Sequence, residues 1–249
     1  TIDGVEAQRS VTYLFSDIVY HFSKLVTRSY DRLINILGAD HHGYVSALMR
    51  ALEDAKLPVE KLTVLITQLV RIVENGVEVK VSKRKGSIIT LDELVSDVGV
   101  DAARWFFLSR SIDTHMDFNL TLAREKSKNN PVYYVQYAHA RATAILGKAA
   151  AGSVSGNLAQ LSSKTEVRLM RKILQLDEIL ADTLNDFGAQ RLTQYAYELA
   201  RDFTAFYETE RVIGDDATTT VARLRLVGVA KVALATSLGL MGIAAPEKM

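Results

Sequence analysis

Short apolar runs separated by turn residues fill the first 130 positions of the chain, and long helical periodicity fills the rest. Residues 11–15, β-branched and aromatic, predict a buried strand that stops at Ser16-Asp17, where an acidic cap opens a helix. Residues 33–37 predict a second strand. Gly38 ends it, and after Asp40-His41-His42 helical spacing runs from Tyr44 through Leu52. Residues 62–73, then Asn75-Gly76, then residues 77–81 read as a hairpin, because Asn-Gly supplies the positive φ angles of a type I′ turn. Thr90-x-x-Glu93 is a capping box for a helix ended by Gly99, and Asp101 opens another over 102–109, whose Trp105, Phe106 and Phe107 are core candidates. Residues 111–119 read as irregular or extended, and 120–128 as a short helix.

The character changes at Asn130-Pro131, where a capping side chain precedes a ring that presets φ for the first helical turn. Helices are predicted over 131–150, 165–185, 189–213 and 220–241. Leu169, Ile173, Leu176 and Leu180 form one apolar stripe; Leu224, Val227, Val232, Ala235 and Leu238 form a looser one. Packed antiparallel, these helices make a bundle. The expected organisation is therefore two domains, residues 1–129 of α/β type and residues 130–249 all helical.

Composition narrows the chemistry. The 249 residues include no cysteine, so disulfide staples and thiolate metal sites are excluded. No apolar run reaches membrane-spanning length, and the first residues lack the pattern of a signal peptide. The net charge is only +1, so any binding of nucleic acid must be local and directed by shape.

Four clusters carry candidate chemistry. Tyr13 and Asp17 lie four residues apart where the first predicted strand feeds a helix; they either converge on one pocket or Asp17 simply caps the helix. Asp40-His41-His42 suggests a metal site of phosphoesterase type, yet no Asp-x-Asp pair completes it. Ser82-Lys83-Arg84-Lys85-Gly86 sets three cations between a serine and a glycine, as a solvated loop or a phosphate site. Tyr133, Tyr134 and Tyr137 fall at helical spacing, either as packing residues or as a stacking surface for unpaired bases.

The run Asn130-Pro131-Val132-Tyr133-Tyr134-Val135-Gln136-Tyr137-Ala138-His139-Ala140-Arg141 resembles the segment that opens the anticodon-binding domain of arginyl-tRNA synthetases. Tyr13 to Ile18, Gly38 to Tyr44, Lys80 to Arg84, Val100 to Arg104 and Ala245 to Met249 match the same family in the same order. The resemblance implies the later half of a class I nucleotide-binding, Rossmann-like catalytic domain, then an all-α anticodon-binding bundle. It implies activation of L-arginine with ATP and Mg²⁺ and transfer to tRNA(Arg), by a cytoplasmic monomer that holds no resident metal. Tyr13 and Asp17 would hold the arginine guanidinium, with Asp40, His41 and His42 lining the pocket. Lys80, Ser82 and Lys83, in the place of the Lys-Met-Ser-Lys-Ser signature, would meet the phosphates, although Val81 and Arg84 depart from that pattern. Tyr134, Tyr137, Tyr207, Arg211 and Met249 would meet the anticodon, with Arg211 standing where some relatives carry tryptophan. No His-Ile-Gly-His-like motif occurs in these residues, so the polypeptide alone is expected not to adenylate arginine. A non-catalytic tRNA-binding or regulatory paralogue is the rival reading.

Overall fold

The computed structural model describes residues 13–79, 89–149 and 157–249. Two compact units divide the chain, one reaching to Leu69 with Ile112–His115, the other comprising Val70–Ser111 and Met116–Met249. The packing of the helical part thus reaches back well before Asn130, where the sequence pattern changes.

In the first unit, helix α1 (Tyr13–Phe22) runs into a π-helical turn at Ser23–Thr27. A strand was expected over 11–15, but Tyr13–Phe15 are helical. Leu14, Ile18, His21 and Leu25 recur at spacings of four, three and four and turn inward, and that period belongs to a helix. Strands β1 (Leu33–Gly38) and β2 (Leu62–Thr67) pair in parallel, from Leu33 opposite Leu62 to Gly38 opposite Thr67. Parallel neighbours need a crossover, and helix α2 (His42–Asp54) supplies it, burying Leu48 and Leu52. Alternation along β1 leaves Ile34 and Ile36 exposed and turns Asn35 toward His21.

The second unit begins with β3 (Val70–Glu74), antiparallel to β4 (Val77–Glu78) and parallel to β5 (Met116–Asn119). Asn75 and Gly76 take φ of 51° and 78°, as the hairpin turn requires. The single strand expected over 62–73 is two strands of different sheets. At the break Gln68 donates its N–H to the Ile112 carbonyl, 2.9 Å, instead of continuing the ladder. The irregular stretch expected at 111–119 ends as β5, where Met116 and Phe118 are buried and Asp117 points out to Arg71.

Helices α3 (Leu91–Val98) and α4 (Val100–Leu108) follow, the first with its Thr90–Glu93 capping box formed. Trp105 and Phe106 are core, as expected, while Phe107 is 39 % exposed. Helix α5 (Leu120–Arg124) stops four residues early because Glu125 turns extended. Asn130 then caps α6 (Pro131–Lys148).

The helix expected over 165–185 is two, α7 (Lys164–Leu174) and α8 (Leu176–Asp186). At Gln175 the N–H bonds Lys172 O, three residues back, and the tightened turn lets the Leu169–Leu180 stripe bend around α9 (Gln190–Thr209). Helix α10 (Ala217–Leu240) starts at the Asp216 cap and presents Leu226, Val227, Ala230, Leu234 and Leu238 to the core. Val232, assigned to its stripe by periodicity, is 64 % exposed instead.

Candidate functional site

In the first unit a cleft of about 240 Å³ opens beside α1 and β1, lined by Asp17, His21, Lys24, Asn35 and Tyr44 among others. The Tyr44 hydroxyl donates to the Asp17 carboxylate at 2.5 Å. Burial, and then the Asp17 hydrogen bond and charge, push the Tyr44 phenol up to about 12, so it stays a donor. Buried His21 sits between Asn35 and Asp17. The Asn35 amide donates to Nε2 at 2.8 Å, which leaves the proton on Nδ1 to reach the Asp17 carbonyl at 2.7 Å. Asp17 is thereby fixed at both its backbone and its carboxylate.

The other residues expected here are dispersed. Tyr13 lies one turn before Asp17 on the same helix but is 91 % exposed and outside the cleft. The His41 Nε2 lies 3.8 Å from the Asp40 carboxylate, both side chains exposed, and the His41 ring meets Tyr44 edge-on. His42 opens α2 and is exposed. Among the described residues, no group of three or more histidines, cysteines or carboxylates could hold a metal ion. Lys80, Ser82 and Lys83 lie outside the described residues.

The second unit carries a larger cleft, about 490 Å³, between α6, the end of α9 and the last residues of the chain. Its geometry follows from how the two helices bury their inner faces. On α6, Val135, Ala138, Ala142 and Ile145 turn inward, which leaves Tyr137, Arg141, Ala144 and Lys148 on the outer flank. On α9, Leu199, Phe203 and Phe206 are fully buried, and Tyr207 is left beside Tyr137. Arg141 joins them. Its guanidinium carbon lies 4.7 Å from the centre of each ring, and its Nη2 donates to the Tyr137 hydroxyl at 2.9 Å. Lys248 and Met249 form the opposite wall, while Glu247 is drawn to Lys231 at 3.1 Å.

Three of the five residues expected to meet an anticodon therefore share one cleft: Tyr137, Tyr207 and Met249. Tyr134 packs on Tyr197, ring centres 5.4 Å apart, and rests against the core. Arg211 sits past the end of α9, three-quarters exposed, 3.6 Å from Asp215. Sequence reasoning passed over Arg141, Lys148 and Lys248. For Arg141 the signal was present, since it follows Tyr137 at the i+4 spacing that brings side chains together. Aromatic rings grouped with a guanidinium and neighbouring lysines suit flat, anionic ligands such as exposed nucleotides.

Residues 135–249 match the DALR anticodon binding domain family. The chain is 44 % identical over 248 residues to the arginine–tRNA ligase of Dehalococcoides mccartyi, covering 98 % of this chain and 45 % of that protein. It is 40 % identical over 242 residues to that of Staphylococcus aureus, covering 96 % and 44 %. Among solved structures, one described as an arginyl-tRNA synthetase from Campylobacter jejuni superposes with a TM-score of 0.87 at 34 % identity, covering 96 % of this chain and 53 % of that one. The Thermus thermophilus arginyl-tRNA synthetase shares the fold, with a TM-score of 0.79 at 22 % identity over 96 % and 50 % of the two chains. No helix among the described residues is long and apolar enough to cross a membrane. The chain spans about half the length of the curated relatives it matches, and over that span it belongs to the arginyl-tRNA synthetase family, with a DALR anticodon binding domain at residues 135–249.

Proposed function

We propose that the chain serves in the ATP-dependent attachment of arginine to tRNA(Arg), and that its α6–α9 cleft receives bases of the anticodon. The observation that carries this reading is the Arg141 guanidinium lying over the rings of both Tyr137 and Tyr207, inside the region of the family match. Unpaired bases have apolar faces and polar edges. Tyr137 and Tyr207 offer faces, Arg141 offers both a stacking plane and donors, and Lys148 and Lys248 offer charge to neighbouring phosphates. Met249 adds a soft apolar wall.

In the same reading, residues 1–129 supply the later half of a class I, Rossmann-like catalytic domain and residues 130–249 the anticodon-binding domain, working as a cytoplasmic monomer. The β1–α2–β2 crossover is the kind of unit such a domain is built from. Asp17 would take the substrate guanidinium, its carboxylate held by Tyr44; Tyr13, Asp40, His41 and His42, assigned to this pocket by resemblance, do not line the cleft. Lys80, Ser82 and Lys83 would meet the phosphates of ATP, which arrives with its own Mg²⁺ as substrate.

Fluorescence anisotropy with a labelled anticodon stem-loop of tRNA(Arg) tests the cleft. Binding should weaken in Tyr207→Ala by about tenfold, as loss of one stacking contact of ~1–3 kcal/mol requires. Equal affinity of wild type and variant would refute the assignment.

A further inference from the structure

Leaving α10 at Met241, the chain reverses at Gly242, whose φ is +67° and whose missing Cβ would stand 2.7 Å from the Arg104 guanidinium. Met241 and Ile243 are buried, and beyond them only Ala245 packs partly against the core. From Ala244 onward the segment is held mainly by side-chain hydrogen bonds, together with the Lys231–Glu247 ion pair. Asp101, in the first turn of α4, accepts the Ala244 N–H through Oδ1 at 3.1 Å and the Gln136 amide through Oδ2 at 2.7 Å. The same Gln136 Nε2 donates to the Ala244 carbonyl at 2.9 Å. Two side chains that bind each other thus satisfy both polar groups of one tail residue. One turn along α6, His139 bonds the Pro246 carbonyl at 2.9 Å; a carbonyl can only accept, so its Nδ1 carries the proton. Gln136 and His139 are 8 % and 3 % exposed. Buried polar groups of this kind hold a fixed geometry because every alternative leaves a donor unmet.

We propose that Asp101, Gln136 and His139 form a latch that fixes residues 244–246 and so sets Glu247, Lys248 and Met249 as the far wall of the Tyr137–Tyr207 cleft. None of the three lines that cleft. They are positioning residues for RNA binding, and Asp101 acts from outside the span matched by the anticodon-domain family. Ordering a short tail costs ~1–2 kcal/mol per residue, and Ala244, Glu247, Lys248 and Met249 are too exposed to recover that by burial. Released, the tail would leave Tyr137 and Tyr207 without Lys248 and Met249 opposite them. This inference rests on the RNA-binding reading for its purpose but not for its geometry.

The test compares the 249-residue chain with Asp101→Asn and with Gln136→Met, an unbranched replacement chosen to keep the volume. Hydrogen exchange followed by mass spectrometry should show amides of residues 242–249 exchanging about tenfold faster in both variants, with peptides from α9 and α10 unchanged. Affinity for the anticodon stem-loop should fall about fivefold in both, and by no further amount when either change is added to a chain ending at Ile243. Unchanged tail exchange overturns the latch. So does a tail that is released without loss of RNA affinity, or an equal rise in exchange throughout α9 and α10. If the wild-type chain binds no RNA, the proposed function fails, and the exchange data still decide the latch.

Discussion

Arg141 on α6 stands over the ring of Tyr207 on α9, its guanidinium carbon 4.7 Å from the ring centre. Two helices far apart in sequence are thereby joined at their solvent edge by a cation rather than by apolar packing, and the same cation covers Tyr137. A contact of this type is worth ~0.5–1 kcal/mol when exposed, too little to hold the bundle together. What it does is present a plane.

Replacing that plane with a point charge separates stacking from charge. Arg141→Lys keeps the charge and loses the flat, multi-donor group, and Arg141→Ala loses both. Affinity for the anticodon stem-loop should fall in the order arginine, lysine, alanine, by about fivefold and then about tenfold relative to the original. Equal affinities for lysine and arginine would mean that only charge matters in the cleft.

Asn130 performs three hydrogen bonds from a site that is 3 % exposed. Its Oδ1 accepts the Val132 N–H, and its Nδ2 donates to the carbonyls of Ala123 and Glu125, so it caps α6 and ties down the end of α5 at once. An ordinary cap is worth about 1 kcal/mol. Here Asn130→Ala also strands the buried Ala123 carbonyl and the half-buried Glu125 carbonyl, and a loss of ~2–3 kcal/mol is expected in urea unfolding. Asn130→Asp keeps the cap but sets a carboxylate against both carbonyls, and it should be no more stable than alanine.

The sequence made Asn130 legible because Asn-Pro before a periodic run has one physical meaning. The capping box at Thr90 and the Asn75-Gly76 turn were readable for the same reason: each is a local rule obeyed locally. The Asp216 cap went unread, and α10 starts three residues before the expected 220. The strand expected at 11–15 failed because composition suggested β while the spacing of Leu14, Ile18, His21 and Leu25 was helical, and spacing decides which face is buried. The break at Gln175 was invisible, since an apolar stripe reads the same along a straight helix and along two that bend around α9. In the cleft, tyrosines 70 residues apart could be paired by resemblance alone. Tyr134 and Tyr137 look alike in sequence, and only packing separates the ring that meets Tyr197 from the one that meets Arg141.

Lys83 belongs to the phosphate reading of the basic loop. In an intact synthetase carrying this segment, Lys83→Ala should slow arginine-dependent pyrophosphate exchange at least about tenfold, since a single donor aimed at developing charge supplies ~3–4 kcal/mol. Its KM for arginine should change little, because the amino acid is assigned to Asp17. An unchanged exchange rate would remove the loop from the mechanism.

Arg223 joins α10 to two other elements and makes an acid-sensitive joint. Its Nε donates to Glu166 at 2.8 Å, its Nη2 to Glu210 at 2.6 Å and its Nη1 to the Arg211 carbonyl at 2.9 Å, while Thr165 takes the other oxygen of Glu210. Arg223→Met leaves two carboxylates without their cation in a poorly hydrated place. The expected cost is ~3–5 kcal/mol. Burial alone would raise the Glu166 carboxyl, but the Ser163 backbone N–H and the Arg223 guanidinium outweigh it and hold the group below its ordinary 4.5. A carboxylate depressed in the folded state contributes stability that is complete above the unfolded value and disappears as pH falls through the folded one. The gap between wild type and Arg223→Met, measured by urea unfolding at a series of pH values, should therefore be constant at neutral pH and shrink below about 4.5. A gap that stayed the same down to strongly acidic pH would mean that Arg223 acts through its packing and not through Glu166 and Glu210.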